Sequence, residues 1–175
     1  MVRELTKEET ARKRCGDGLA KRRVCFVCTG NTCRSPMAEA VANALAKEKT
    51  QGERTSANFT VALSRGLWAN EGDPISPLAI QALEEAGIEA ATPDYHGHTA
   101  HNLTGEEAER FDLLVGMTAA HCMQLMMRFP DLAPRIVCMP REIPDPFGGD
   151  LGEYRDCLCK ILEGVRALLY SGDVE

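Results

Sequence analysis

The sequence predicts an α/β fold: a small doubly wound sheet of four parallel strands, flanked by helices on both faces. Two observations carry this. Four short runs, Val24–Val27, Phe59–Leu63, Asp112–Met117 and Arg135–Met139, are apolar or alternate like strands. Helical stretches with their own start signals separate them. Strand–helix alternation of this kind pairs strands in parallel through right-handed crossovers.

Residues 1–22 are almost all charged, polar or small, with basic clusters at Arg12–Arg14 and Lys21–Arg23. They read as a flexible charged extension ahead of one domain over 23–175. The first strand is followed by Ser35-Pro36, a good cap and a preferred first helical residue. Met37, Val41 and Leu45, with Ala40 and Ala44 beside them, give that helix a buried face to about Lys49. A polar turn over Thr50–Asn58 leads to the second strand, with Ser64 and Trp68 at its carboxyl end.

Ser76-Pro77 opens a helix ending at Gly87, with Ile80 and Leu83 inward. A loop rich in histidine, Asp94–Asn102, follows. Thr104-Gly-Glu-Glu107 is a capping box. Thr118 caps a helix that Pro130 stops after Phe129, with Met123, Met126 and Met127 as core filler. Asp150 caps a long last helix whose inner face is Tyr154, Leu158, Ile161, Val165 and Leu168.

Composition narrows the function. Hydrophobic residues make up 44% of the 175, enough to fill the core of one domain. A net charge of −6 argues against nucleic acid or an anionic membrane as partner. No apolar run is long enough to span a bilayer, and the charged N-terminus is unlike a secretion signal. Eight cysteines in such a chain point to reduced thiols in a cytoplasm.

The chemistry lies in Cys28-Thr29-Gly30-Asn31-Thr32-Cys33-Arg34-Ser35-Pro36. Strand, tight loop and helix start form an anion cradle: loop N–H groups converge, and the helix N-terminus adds donors and a positive dipole. Gly30 admits a ligand close to the backbone, Asn31 tolerates a left-handed conformation, and Arg34 can fork onto two phosphate oxygens. Cys28 lies at the floor. A free thiol titrates near ~8.5, and helix termini and cations lower that to roughly 3.5–7.5. The expectation is a thiolate that attacks a bound oxyanion. Asp145, in Pro144-Asp-Pro-Phe-Gly-Gly149, lies at the carboxyl end of the fourth strand, where a proton donor to the leaving group is needed. Phe147 lies beside it. Trp68 is a candidate pocket wall, and Ser64 a candidate support for the loop. His96, His98 and His101 lack partners at metal-binding spacing, so neither a metal nor another cofactor is expected.

The cysteine loop resembles the phosphate-binding loop of the low-molecular-weight protein tyrosine phosphatases, a superfamily that includes thioredoxin-linked arsenate reductases and bacterial protein arginine phosphatases. The resemblance runs from about Arg23 to the C-terminus. It implies a cysteinyl-phosphate mechanism with Cys28 as nucleophile, Arg34 and residues 29–35 holding phosphate, Ser35 bonding the thiolate, and Asp145 as general acid. It further implies that Ser64 and His98 support Asn31. Substrates would be phosphorylated proteins, and phosphate a product.

Thr32 stands where the tyrosine-directed branch typically has a bulky aliphatic residue and the arginine-directed branch has threonine. Gly148 stands where many tyrosine-directed members place a second aromatic. Both favour phosphoarginine over phosphotyrosine; Arg65, bulky and charged, speaks against a cationic substrate. The arsenate-reductase reading needs a further cysteine pair, and Cys122 and Cys138 do not suggest one. Cys28 and Cys33 could form a silencing disulfide.

Overall fold

The computed structural model describes residues 22–49, 59–88 and 94–170. The N-terminal extension, Arg22 apart, and the turn expected over 50–58 lie outside the described residues. The strands are β1 (Arg22–Cys28), β2 (Phe59–Gly66), β3 (Leu113–Gly116) and β4 (Ile136–Cys138). The helices are α1 (Arg34–Lys49), α2 (Pro77–Glu85), α3 (Gly105–Glu109), α4 (Ala119–Arg128) and α5 (Leu151–Tyr170), with 3-10 turns at Tyr95–Gly97 and Pro130–Arg135. All strand pairs are parallel, in the order β2-β1-β3-β4.

Central β1 is buried on both faces, which its apolar run requires. Val24, Phe26 and Cys28 point into a core built with Met37 and Val41 of α1, Leu83 of α2, and Leu158, Ile161 and Val165 of α5. Cys25 and Val27 point into the other core, with Ala108, Phe111, Cys122, Leu125 and Ile136. The outer strand β2 is partly sealed by Asn43, whose amide bonds both backbone groups of Ala62 at 2.9 and 3.0 Å. The chain leaves β1 for β2 on one side and returns to β3 on the other. That reversal opens a crevice at the strands' carboxyl ends, where open α/β sheets bind ligands.

Several expectations need correction. Helix α1 begins at Arg34, and the Cys33 carbonyl accepts the Met37 N–H at 3.1 Å. Ser35 is therefore inside the helix rather than its cap, and its hydroxyl is free for other work. Ser76 stands at the cap of α2 without capping it through its side chain, and Ile80 is only half buried while Ala79, Ala82 and Leu83 are covered. The methionines are not core: Met123, Met126 and Met127 expose 63%, 42% and 77%. Helix α4 turns His121, Cys122 and Leu125 inward, and a 3.6-residue period puts Met123 and Met127 on the opposite face and Met126 at the flank.

Cys122 and Cys138 are disulfide-bonded, with Cα atoms 5.9 Å apart, contrary to the expectation of unpaired, reduced thiols. Adjacent β3 and β4 bring the start of α4 against the end of β4, a closeness hidden by 16 residues of separation. Cys122 belongs to the core on the other face of the sheet from Cys28, and Cys138, at the end of β4, is exposed. Thr118 and Thr104 cap α4 and α3 as expected, and Asp150 and Glu153 exchange backbone–side chain bonds at the start of α5. Among the described residues no helix is long and apolar enough to cross a membrane.

Candidate active site

The Cys28–Arg34 loop joins β1 to α1 at the crevice. Asn31 adopts φ 56°, a left-handed conformation that asparagine tolerates better than most residues. Leu67 and Trp68 N–H groups bond the carbonyls of Cys28 and Thr29 at 2.9 and 3.0 Å, stitching the end of β2 to the loop. Gly66 permits this approach: a Cβ there would lie 2.7 Å from the Thr29 carbonyl oxygen.

Cys28 is buried, and its Sγ lies 3.0 Å from Ser35 Oγ and accepts the Asn31 N–H at 3.3 Å. Burial pushes the thiol above the ordinary cysteine value, while Ser35, Asn31 and Arg34 pull it down. The expected net lowering is thus reversed, because desolvation of a nearly enclosed sulfur outweighs these donors.

Beneath the loop runs a buried network. Asn31 Nδ2 donates to both Ser35 Oγ and Ser64 Oγ at 3.0 Å, so the Ser35 proton is directed at the sulfur, 3.0 Å away, or at the Arg65 carbonyl, 3.4 Å away. Asn31 Oδ1 accepts the His101 backbone N–H at 2.9 Å. His98 Nε2 meets the Asn31 backbone carbonyl at 2.9 Å, so this nitrogen carries the proton. Ser64 Oγ donates to Glu39 Oε2 at 2.5 Å. Burial raises the Glu39 carboxyl to about 7, against the pull of Ser64 and Arg65.

Glu39 was missed in the sequence, although a lone carboxylate amid Met37, Ala38, Ala40 and Val41 is a signal for a buried polar role. His121 was missed too. Its Nε2 lies 3.0 Å from Thr29 Oγ1 and its Nδ1 2.8 Å from Thr118 Oγ1. Burial, then Arg34, lowers this imidazole to about 4, keeping it neutral. Only its spacing from the cap Thr118 hinted at it.

The other predicted residues surround a cavity of about 330 Å³. Thr29, Gly30, Thr32, Cys33 and Arg34 line it together with Cys28 and Asn31. Arg34 is buried and gives Nη2 to Asp145 Oδ2 at 2.6 Å and Nη1 to the Ile143 carbonyl at 3.4 Å. Asp145 Oδ1 also accepts the Phe147 N–H at 3.1 Å, so this carboxylate both holds its own turn and lines the cavity. Trp68 and Phe147 stand exposed at the rim, 62% and 79%, which rules out core packing for the tryptophan. Asp73, unforeseen, also lines the cavity, its carboxylate accepting Asn70 Nδ2 at 2.7 Å.

Arg65 does not line the cavity; it is paired with Glu107 at 3.0 Å and with the Ser64 carbonyl, so its expected objection to a cationic substrate falls away. The histidines diverge: His96 goes to Asp94 and Glu84, and His101 to Glu71 and Thr99. Cys33 Sγ lies 3.2 Å from the Tyr154 hydroxyl, which also accepts from Ser76 Oγ at 3.0 Å. Cys25, in the opposite core, cannot pair with Cys28 as a redox motif.

A buried thiol, a guanidinium and a carboxylate lining one cavity at the carboxyl ends of a parallel α/β sheet define a candidate phosphoryl-transfer centre. The family model described as low molecular weight phosphotyrosine protein phosphatase matches residues 23–174, and the chain belongs to that family of phosphatases. Among its relatives, a protein-arginine-phosphatase of Geobacillus stearothermophilus is 34% identical over 76% of this chain and 84% of its own. The low molecular weight protein-tyrosine-phosphatase PtpB of Staphylococcus haemolyticus is 32% identical over 80% and 92%. The solved YwlE arginine phosphatase of G. stearothermophilus superposes with a TM-score of 0.70 at 31% identity, over 86% of this chain and 92% of that one.

Proposed function

We propose that this chain is a protein arginine phosphatase working through a phosphocysteine at Cys28. The observation that carries the substrate choice is a second carboxylate at the mouth. Asp73 and Asp145 both line the cavity, and among the described residues no cation pairs with Asp73. An unbalanced carboxylate beside a phosphate site disfavours a simple dianionic ester. It favours a phosphorylated side chain that carries its own positive charge, as a guanidine does. Thr32 on the cavity wall and Gly148 after Phe147 agree with the arginine-directed branch of the resemblance.

Once a phosphoryl group occupies the loop, the Cys28 proton passes by way of its oxygens to Asp145, and the resulting thiolate attacks phosphorus in line, forming an S–P bond as the P–N bond to the guanidine breaks. The loop N–H groups and Arg34 hold the three equatorial oxygens. A phosphoryl group on Arg34 takes over the N–H now given to Asp145. The protonated Asp145 then delivers its proton to the leaving nitrogen. Water, deprotonated by Asp145, attacks the phosphocysteine and releases phosphate. Ser35 steadies the sulfur as it departs. The route calls for no metal. The exposed Trp68 and Phe147 favour the second reading, phosphotyrosine, since two aromatic edges can flank a phenol ring.

Hydrolysis of matched phosphoarginine and phosphotyrosine peptides by wild type and Thr32→Ile, with chelator present, separates the two. Wild type is expected to prefer phosphoarginine by at least about tenfold, a difference of about 1.4 kcal/mol, and Thr32→Ile to shift toward phosphotyrosine. A wild-type preference for phosphotyrosine overturns the substrate assignment.

A further inference from the structure

A second cavity, of about 570 Å³, shares only Trp68 with the catalytic one. Leu67, Asn102, Gln124, Met127 and Arg128 complete its lining. Among the described residues its lining holds no carboxylate. Glu71, the acid nearest in the bonding pattern, is committed to Asn102 and His101. Asn102 spends its amide on Ala69 and Glu71. Arg128 gives Nη1 to the Leu67 carbonyl at 3.1 Å and lies over the Phe129 ring, and among the described residues no carboxylate pairs with it. The exposed Met127 lies beside it, with Met123 and Met126 also uncovered on α4. Methionine surfaces adapt to varied apolar partners.

We propose that this cavity is a docking subsite for the substrate polypeptide beside its phosphorylated residue, and that it takes an acidic side chain with an apolar neighbour. This rests on the reading that the substrates are phosphorylated proteins. Two features fix the occupant. The subsite and the catalytic cavity share the exposed Trp68 as a common wall, so it lies next to the path of a chain whose phosphorylated side chain enters the catalytic cavity. Its one formal charge is the Arg128 guanidinium, a local positive spot on a chain of net charge −6. The carboxylate of the peptide bonds Arg128, and the apolar neighbour packs on Trp68 and Met127.

The test uses the full chain and phosphopeptides in which one glutamate is moved through each flanking position against alanine. Both phosphoarginine and phosphotyrosine series are run, with para-nitrophenyl phosphate as a substrate too small to reach the subsite. One position is expected to lower KM by roughly two- to fivefold, the range of an exposed ion pair, with kcat unchanged. Arg128→Gln is expected to erase that preference and Arg128→Lys to retain it, with para-nitrophenyl phosphate turnover steady. Since Arg128→Gln also loses the tie to Leu67, Met127→Glu is made as well; its carboxylate neutralises the retained Arg128 and is expected to abolish the glutamate preference. A flat glutamate scan in wild type overturns the proposal. So does a preference that survives Arg128→Gln or a scan unchanged by Met127→Glu. The choice between phosphoarginine and phosphotyrosine is read from the relative rates of the two series, independently of the flank effect.

Discussion

At the floor of the catalytic cavity, Asn31, Ser35 and Ser64 are wholly buried, and their side chains are tied to one another and to Glu39, Cys28 and the His98–His101 segment. At the rim, Trp68 and Phe147 leave most of their surface in solvent, and Asp145 is half exposed. The same segment, 98–102, serves both: it holds Asn31 from below, and through Asn102 it holds the backbone of Ala69 in the rim. The floor therefore fixes where phosphorus sits, and the rim is free to select what is attached to it. Damage to the floor should appear in kcat and stability together, whereas damage to the rim should appear in KM and substrate choice.

Asp145 belongs to both regions and gives the largest effect. Asp145→Asn keeps an acceptor for Arg34 but cannot donate a proton to the leaving atom. Its kcat on phosphopeptides should fall by about 10²–10⁴-fold, and by much less on para-nitrophenyl phosphate, whose leaving group needs no proton. An equal loss on both substrates would remove Asp145 from the acid role.

The next effect contrasts the two regions directly. Asn31→Ala forces alanine to φ 56° and leaves Ser35, Ser64 and the His101 N–H without their partner. Strain, an unmet His101 N–H and two hydroxyl oxygens without their donor should cost about 2–4 kcal/mol of stability and lower kcat by roughly ten- to a hundredfold. Trp68→Ala should raise KM a few-fold for peptides and leave Tm within a degree or two, because the indole is mostly exposed. Should Trp68→Ala destabilise the fold as much as Asn31→Ala, the division into fixed floor and free rim is wrong.

The floor was the more legible region in the sequence, for a physical reason. Cys28, Asn31 and Arg34 are contiguous, and a strand–loop–helix transition dictates their placement, so a local pattern suffices. The four strands were legible because apolar runs and start signals are likewise local. What escaped was set by packing at a distance. Cys122 and Cys138 meet only because β3 and β4 are neighbours. Asp73 reaches the mouth only because residues 98–102 hold the loop after β2 in place; the Ala100 N–H bonds the Asp73 carbonyl at 2.8 Å. The methionines of α4 were misread because an apolar residue says nothing of which way a helix faces. The thiol of Cys28 was expected to be lowered by its donors alone, when the depth of its burial decides the sign.

The smallest effect on turnover, and the one that probes the floor most finely, concerns Glu39. In the fold this carboxyl keeps its proton up to about 7, because burial outweighs Ser64 and Arg65, whereas its ordinary value is 4.5. His98 also faces it, Nδ1 standing 4.0 Å from Oε2, and burial pushes this imidazole below its ordinary value. Folding therefore takes up a proton between those two values, so this group's contribution to stability is lost as pH rises from 4.5 and levels off above about 7. The full loss is on the order of 3 kcal/mol. Glu39→Gln keeps an acceptor for the Ser64 hydroxyl and removes the titration. Thermal unfolding from pH 5 to 8 should show wild type losing stability faster than Glu39→Gln. Activity at pH 7 should differ by less than about threefold, since Asn31 and Ser35 still hold the loop. Parallel stability curves would mean that Glu39 is ionised throughout, and that the floor tolerates a buried charge beneath its nucleophile.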